Sequence, residues 1–301
     1  MDRPRALARA KINLRLAVLA REDTGFHQIE TIFCALELAD EIEIRTAARG
    51  ITLEVLTASE HDAVAPELGP VGENLAVRAA TAFFDAAGIE PRVAIRLTKR
   101  IPAGAGLGGG SSDAATVLKL LNEVHGAPLD IRDLLDIGAG LGSDVPFFIG
   151  GAAMALAWGR GGRLAPLPPL PSRTVLLAVP SHAMSTARAY ADLAHIRAAE
   201  LHGRQTVAAP VIIDPNVASW TAVAALAVND FESVVFSRMP LLAAVRERIE
   251  RNGAVIARMT GTGSVVFGVF EDPAAAAAAR DEMLREQPDV RVVLTRTLEA
   301  V

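Results

Sequence analysis

A glycine-rich stretch near the middle of the chain, RIPAGAGLGGGSSDAATVL from Arg100 to Leu118, most constrains the fold. Five of the seven residues from Gly104 to Gly110 are glycine, and a helix-like apolar run follows them. Because glycine lacks a Cβ, successive backbone N–H groups can approach an anion closely, and the N-terminus of a following helix adds partial positive charge. The stretch therefore predicts a phosphate-binding loop between a strand and a helix, with a flexible hinge as the alternative.

Several nucleotide-binding motifs share such glycines. Gly104 to Gly109 formally matches the G-x-G-x-x-G of dinucleotide-binding folds, but a Rossmann strand runs straight into the first glycine, whereas Thr98 to Pro102 intervene here. No Walker A lysine follows the glycines, and the H-R-D and D-F-G segments of protein kinases are absent from the sequence. A small-molecule kinase is favoured, while an NAD-binding dehydrogenase and a non-catalytic nucleotide-binding regulator stay open.

Composition narrows the class of protein. With 301 residues and 51% hydrophobic residues the chain can bury a large core, most plausibly as two domains. A net charge of −5 argues against a nucleic-acid partner. Cys34 is the only cysteine, which fits a reducing, cytoplasmic location. No apolar run reaches the roughly 18 residues of a membrane helix, so no membrane partner is expected. Lys11, Asn13 and Arg15 interrupt the apolar residues of the N-terminus, so a signal peptide is not expected either.

Hydrophobic periodicity predicts the order of the elements. Near the N-terminus apolar residues alternate with Lys11, Asn13 and Arg15, which predicts a half-buried strand with these three on the face away from the core. The other predicted elements of the first part are strands at 42–44, 51–55 and 92–101, and helices at 73–88, 111–125 and 131–141.

The proline-rich run LAPLPPLP, Leu164 to Pro171, predicts a break in regular structure and hence domains at 1–163 and 164–301. The C-terminal part follows an α-β-β-α-β order, which favours an α+β layer with helices on one face of an antiparallel sheet. Its predicted elements are a helix at 240–251, strands at 254–259 and 264–270 around a glycine turn, a helix at 273–285 and a strand at 290–297.

Beyond these patterns, PAGAGLGGGSSDAATVL resembles the phosphate-binding motif of the GHMP kinases, a family of small-molecule kinases. ARAKINLRLAV, GFHQIETIFCALELAD, LGSDVPFFIGG, NDFE and RMTGTGSVVFGVF extend this resemblance from Ala8 to Phe270. It implies a two-domain α+β GHMP kinase fold, with an N-terminal ribosomal-protein-S5-like domain that binds ATP and a C-terminal ferredoxin-like domain.

The activity that this resemblance implies is phosphorylation, with ATP and Mg²⁺, of the 2-hydroxyl of a cytidylylated methylerythritol. That reaction belongs to the non-mevalonate isoprenoid pathway. A kinase of the homoserine or mevalonate type is the alternative within the family. The expected partner is a small-molecule substrate, and the sequence leaves open whether the chain works as a monomer or a homodimer.

Two residues are candidates for the chemistry. Asp144, in GSDVP, suits either a proton acceptor or the N-cap of a helix that begins near Pro146. The family resemblance implies the catalytic base. It also implies that Lys11 lies beside this base, where a cation would keep the carboxylate ionised. The residues implied at the ATP phosphates are Pro102, Ala103, Gly104, Ala105, Gly106, Leu107, Gly108, Gly109, Gly110, Ser111 and Ser112, with Ser111 or Ser112 as possible Mg²⁺ contacts.

The remaining candidates concern the alcohol substrate. A lone histidine is more often structural than functional, but the resemblance implies that His27 contacts the cytosine edge. Phe26 and Tyr190 would be the aromatic walls of the base pocket, because stacking needs only a π-face. The resemblance also implies substrate roles for Asn13, Thr186, Gly261, Thr262 and Gly263, although TGTGS could equally be a plain hairpin turn.

Overall fold

The computed structural model describes residues 4–21, 27–57, 70–181, 184–201, 217 and 219–299. By its internal contacts the chain forms two compact units, each assembled from separate stretches. The first unit comprises Met1–Ala10, Leu38–Ala103 and Gly108–Gly151, and the second comprises Lys11–Glu37, Gly104–Leu107 and Ala152–Val301. The contiguous boundary after residue 163 stays a prediction.

Groups of consecutive strands are separated by groups of consecutive helices along the chain. The strands are β1 Arg5–Arg21, β2 His27–Thr46, β3 Gly50–Thr57, β4 Arg92–Lys99, β5 Met154–Gly159, β6 Arg163–Pro166, β7 Thr174–Pro180, β8 Ile256–Met259, β9 Val266–Phe270 and β10 Val290–Arg296. The helices are α1 Leu75–Ala87, α2 Gly109–Val124, α3 Ile131–Leu141, α4 Val145–Gly150, α5 Thr186–Leu201, α6 Trp220–Leu226, α7 Glu232–Arg238, α8 Pro240–Arg251 and α9 Pro273–Glu286.

In the first unit β3 runs parallel to β4, and β4 runs antiparallel to the end of β2. Helices α1 to α4 pack on one another in this unit. Local signals set their ends: α1 starts at Asn74, whose side chain accepts the N–H of Ala76, and stops at Gly88 in the left-handed conformation. A capping box of Asp130 and Asp133 starts α3. The sequence predicted α1 and α3 because these signals are local.

In the second unit the start of β2 pairs with β5, and β5 pairs with β6. A separate antiparallel sheet has the strand order β10-β7-β9-β8. Helix α8 packs on β8 and β9, while α9 packs on β7, β9 and β10. The predicted α-β-β-α-β order and the antiparallel sheet are therefore confirmed.

The first strand differs from its prediction. Ile12 and Leu14 are fully buried, but Lys11 and Asn13 are only 3% exposed and Arg15 only 9%. The alternation of apolar and polar residues correctly assigns side chains to the two faces of β1, but both faces are buried in the structure. The prediction of a half-buried strand was wrong because period-2 patterning reports polarity, and a polar face can be buried wherever hydrogen-bond partners are available.

The proline-rich run Leu164 to Pro171 is only partly the break in regular structure that the sequence predicted. Its first residues belong to β6, an edge strand that ends at Pro166, where a missing N–H is tolerated. Strand β7 follows the run and was not predicted. Its residues Thr174–Ala178 are all buried, so the segment lacks the alternation that identifies a strand. Among the described residues, no helix combines the length and apolarity needed to cross a bilayer.

At Gly268 in β9, helix α8 packs closely on its sheet. A Cβ at this position would lie 2.3 Å from Cγ2 of Ile249 and 2.9 Å from Cε2 of Phe270. We therefore expect Gly268→Ala to lower the free energy of unfolding by about 1–3 kcal/mol, because it overpacks a buried contact. Urea denaturation measures this change.

Gly140 in α3 provides the matched control for Gly268→Ala. It has open space around the added Cβ, so Gly140→Ala is expected to cause no loss of stability. Equal stability of the two variants would contradict the packing argument.

Candidate active site

The glycine loop has a backbone that other residues adopt only with strain. Gly104, Gly106 and Gly108 have φ values of 64°, 76° and 73°. An L-residue in this region costs about 1–2 kcal/mol. Gly108 is the residue before α2, and the helix begins directly at Gly109. The first N–H groups of α2 thus follow a loop whose path requires glycine at alternate positions.

Within the second unit, the tip of this loop is bonded to β1 through Lys11. The ammonium Nζ of Lys11 donates to the carbonyl oxygen of Gly106 (2.9 Å), and the backbone N–H of Lys11 donates to the carbonyl of Leu107 (2.9 Å). Lys11 Nζ also lies 5.4 Å from the ring centroid of Phe33. A buried cation is therefore fixed directly at the loop.

Asn13 joins this ammonium to the turn after β8. Its Oδ1 accepts from Lys11 Nζ (2.8 Å), from the N–H of Gly261 (2.9 Å) and, at 3.1 Å, from Thr260 Oγ1. Thr260 Oγ1 has a single proton, which it shares between Asn13 and the carbonyl of Gly106, also at 3.1 Å. Asn13 Nδ2 donates to Thr31 Oγ1 at 2.8 Å. Protein groups therefore use the amide oxygen, and a direct substrate contact by Asn13 stays a prediction.

Asn229 holds the same turn from the other side and received no role in the sequence analysis. Its Nδ2 donates to the carbonyl oxygens of Met259 (2.6 Å) and Gly261 (2.9 Å), while its Oδ1 accepts the N–H of Phe231 (2.9 Å). Glu232 accepts the N–H of Met259 at 2.8 Å, and burial raises the pKa of this carboxyl. The motif NDFE was the available signal, because Asn and Glu three residues apart frequently bond to neighbouring backbone.

The substrate candidates of the second unit form two pairs. The rings of His27 and Tyr190 lie 4.7 Å apart at 35°, and Tyr190 meets the buried Phe231 edge-on at 4.8 Å. The hydroxyl oxygens of Thr186 and Thr262 are 3.0 Å apart. Phe26 lies outside the described residues. Gly261 and Gly263 have φ values of 59° and 96°, so the predicted glycine turn is present.

Asp144 lies in the first unit, directly before α4, and is half-buried. Its side chain makes no capping hydrogen bond to that helix, so the structural alternative of an N-cap is not realised by the carboxylate. The same segment lies next to the start of α2: a Cβ on Gly142 would be 3.8 Å from Ser111 Oγ. The base role of Asp144 and its partnership with Lys11 stay predictions.

Among the described residues, no group of three or more His, Cys, Asp and Glu could hold a metal ion. The two serines that were named as possible Mg²⁺ contacts differ in their exposure. Ser112 is 1% exposed and Ser111 is half-buried, so Ser111 has the more accessible hydroxyl.

Family comparisons agree with this fold and site. The family of GHMP kinases N terminal domains matches residues 74–152, and the family of GHMP kinases C terminal domains matches residues 217–289. The chain belongs to the GHMP kinase family.

The similar proteins within this family include kinases that share one name. The chain is 43% identical to the 4-diphosphocytidyl-2-C-methyl-D-erythritol kinase of Solibacter usitatus (strain Ellin6076), over 95% of this chain and 87% of that protein. It is 41% identical to the kinase of the same name from Geobacter sp. (strain M21), over 94% and 95% of the two chains. A crystal structure of 4-(cytidine 5'-diphospho)-2C-methyl-D-erythritol kinase is similar with a TM-score of 0.75 and 33% identity, covering 98% and 99%.

The closest backbone approach in the site is between Gly106 and the turn after β8. A Cβ on Gly106 would lie 2.3 Å from the carbonyl oxygen of Thr260. We expect Gly106→Ala to displace the loop tip from Lys11 and to lower kcat/KM at least about a hundredfold, since a shift of 1 Å in a site has effects of that size. Steady-state kinetics measure it.

Gly104 is the matched control for Gly106→Ala. It has a similar positive φ of 64°, but an added Cβ meets nothing within 4 Å. Gly104→Ala therefore carries the backbone strain without the clash, and its loss of kcat/KM is expected to be much smaller. Equal losses in the two variants would show that conformational strain, and not the approach to Thr260, explains the glycine.

Proposed function

We propose that this chain transfers the γ-phosphoryl group of ATP to the 2-hydroxyl of 4-diphosphocytidyl-2-C-methyl-D-erythritol. The observation that carries the proposal is the buried Lys11 ammonium bonded to the carbonyl of Gly106 in the glycine loop. A lysine with 3% exposure costs free energy to bury, so its position at an anion-binding loop supports a function in phosphoryl transfer. The names of the relatives support the choice of alcohol.

Phosphoryl transfer needs neutralised charge, an oriented hydroxyl and a proton acceptor. The N–H groups at the start of α2 supply donors and the partial positive charge of a helix terminus, which suits the nucleotide phosphates. Lys11 supplies a fixed positive charge beside the loop tip. Asp144, whose carboxylate does not cap α4, accepts the proton of the attacking hydroxyl in this mechanism.

Cytidine recognition is assigned to His27 and Tyr190. Their adjacent rings, tilted by 35°, offer a π-face to the base and a ring nitrogen to its hydrogen-bonding edge. In this proposal the ATP phosphates and the hydroxyl of Ser111 would hold Mg²⁺, which would help to neutralise the charge of the phosphates. The proposal also includes a cytoplasmic location and a monomer or homodimer as the working state.

One incubation separates the candidate functions. Purified protein, ATP and Mg²⁺ are mixed with 4-diphosphocytidyl-2-C-methyl-D-erythritol, homoserine, mevalonate or no alcohol, and ADP and phosphorylated product are quantified. We expect stoichiometric ADP and product only with the cytidylylated alcohol. Turnover of homoserine or mevalonate instead would support another kinase of the family. No ADP with any acceptor would support a non-catalytic nucleotide-binding protein.

The base role of Asp144 has its own test. Asp144→Asn keeps the size of the side chain but removes the proton acceptor, so kcat should fall by about 10²–10⁴-fold while the affinity for ATP changes little. Rapid-quench kinetics and ATP titration measure the two quantities. Asp136→Asn, an exposed carboxylate on the neighbouring α3, is the control and should retain full turnover. Undiminished kcat in Asp144→Asn would remove this residue from the base role.

A further inference from the structure

A buried cluster of three charged side chains lies at the base of the glycine loop in the first unit. Lys99 is 6% exposed, Asp40 is 0% exposed and Asp113 is 3% exposed. Lys99 Nζ donates to Asp113 Oδ2 at 2.8 Å and also forms an ion pair with Asp40. Neither the proposed phosphate contacts nor the proposed proton transfer uses any of these residues.

Asp40, in β2, bonds to the last residue of β4 and to the two residues that follow this strand. Its Oδ1 accepts the backbone N–H of Arg100 and, at 2.8 Å, that of Ile101, while its Oδ2 accepts from Lys99. One carboxylate therefore bonds to three consecutive residues at the entrance of the glycine loop. This arrangement fixes the path of the chain directly before Pro102.

Lys99 connects that entrance to the exit of the loop. Asp113 lies in the first turns of α2, so the bond from Lys99 joins residues on either side of the loop. The first residue of α2 packs closely against Lys99. A Cβ on Gly109 would be 3.4 Å from Lys99 Nζ and 3.1 Å from Cγ2 of Ile101. The two ends of the loop are thus held together at one buried ammonium.

We propose that Lys99, Asp40 and Asp113 are positioning residues that preorganise the glycine loop for the polyphosphate of the nucleotide. This inference rests on the proposed function. Glycine loses more conformational freedom on ordering than any other residue, so a loop with glycine at three alternate positions binds an anion weakly unless its ends are already fixed. Ordering the loop before binding removes that cost from the binding step.

The cluster is not explained by stability alone. Asp113 Oδ1 is buried and has no hydrogen-bond partner within the described structure. Burial raises the pKa of Asp113 to about 7, against the opposing effect of Lys99. A buried carboxylate with an unsatisfied oxygen is unfavourable for folding. An apolar residue in place of Asp113 leaves Lys99 paired with Asp40, so the replacement creates no unpaired buried charge. A positioning role accounts for a carboxylate that folding alone does not favour.

Three variants of the full chain test the inference. Asp113→Leu removes the bond to Lys99 and the unsatisfied oxygen together, whereas Asp113→Asn keeps an acceptor for Lys99. Glu43→Gln is the control, because it neutralises another buried carboxylate on β2 that pairs with Arg5 and Arg45. Thermal unfolding and calorimetric titration with ADP measure stability and nucleotide affinity without any alcohol acceptor.

We expect Asp113→Leu to unfold at the same or a higher temperature than the wild type, yet to bind ADP about tenfold more weakly. Asp113→Asn should restore most of the affinity, and Glu43→Gln should bind normally. In turnover, Asp113→Leu should raise KM for ATP and leave KM for the alcohol unchanged. A merely structural residue would instead lower the unfolding temperature and leave the ADP affinity of the folded protein unaltered.

Other outcomes are equally decisive. Wild-type ADP affinity in Asp113→Leu would overturn the inference and leave the proposed function intact. A wild-type protein that binds no adenine nucleotide would overturn both. If Asp113→Leu does not fold, the ADP affinity of Asp40→Asn tests the inference instead. This variant keeps the oxygen that accepts the N–H groups of Arg100 and Ile101, but it loses the negative charge that pairs with Lys99. Unchanged ADP affinity in Asp40→Asn would then contradict the inference.

Discussion

Two polar side chains buried in β1, Lys11 and Asn13, must find hydrogen-bond partners inside the second unit, and the rest of the candidate site is arranged around that requirement. In a protein interior an amide without partners would cost about 1–3 kcal/mol, and an ammonium without partners would cost more. The carbonyl of Gly106 and the N–H of Gly261 satisfy them. Strand β1 therefore fixes the positions of two backbone turns, the glycine loop at Gly106 and the turn after β8 at Gly261.

This requirement explains why two glycine motifs far apart in the sequence occur together. A Cβ on Gly261 would lie 3.1 Å from Cα of Gly106, and one on Gly106 would lie even closer to the carbonyl of Thr260. The turns can reach Asn13 and Lys11 at the same time only if neither carries a side chain there. GAGLG and TGTGS therefore form one structural feature, although each alone resembles an ordinary loop or hairpin turn.

A structural feature can be predicted from the sequence when the residues that determine it are close together in the chain. Helix α8 has its predicted bounds and α1 ends at the predicted Gly88, because proline, glycine and side-chain caps act within one turn. The burial of the polar face of β1 was missed because its partners are remote: Asn13 bonds to Thr260, 247 residues away. Asn229 was missed for the same reason, since its role exists only once β8 and its turn are in place.

The two polar clusters at the glycine loop differ in a way that separates folding from function. In the second unit the oxygen of Asn13 accepts several donors, so that network is satisfied by the protein itself and has only one favourable arrangement. In the first unit Asp113 has an oxygen without a hydrogen-bond partner among the described residues, and burial raises the pKa of its carboxyl to about 7. Natural sequences violate the rule of satisfied burial chiefly where function requires it. Asp113 directly follows Ser112 in α2, the helix whose start forms the proposed phosphate site, so a group that is unfavourable for folding lies where fixed geometry matters for binding.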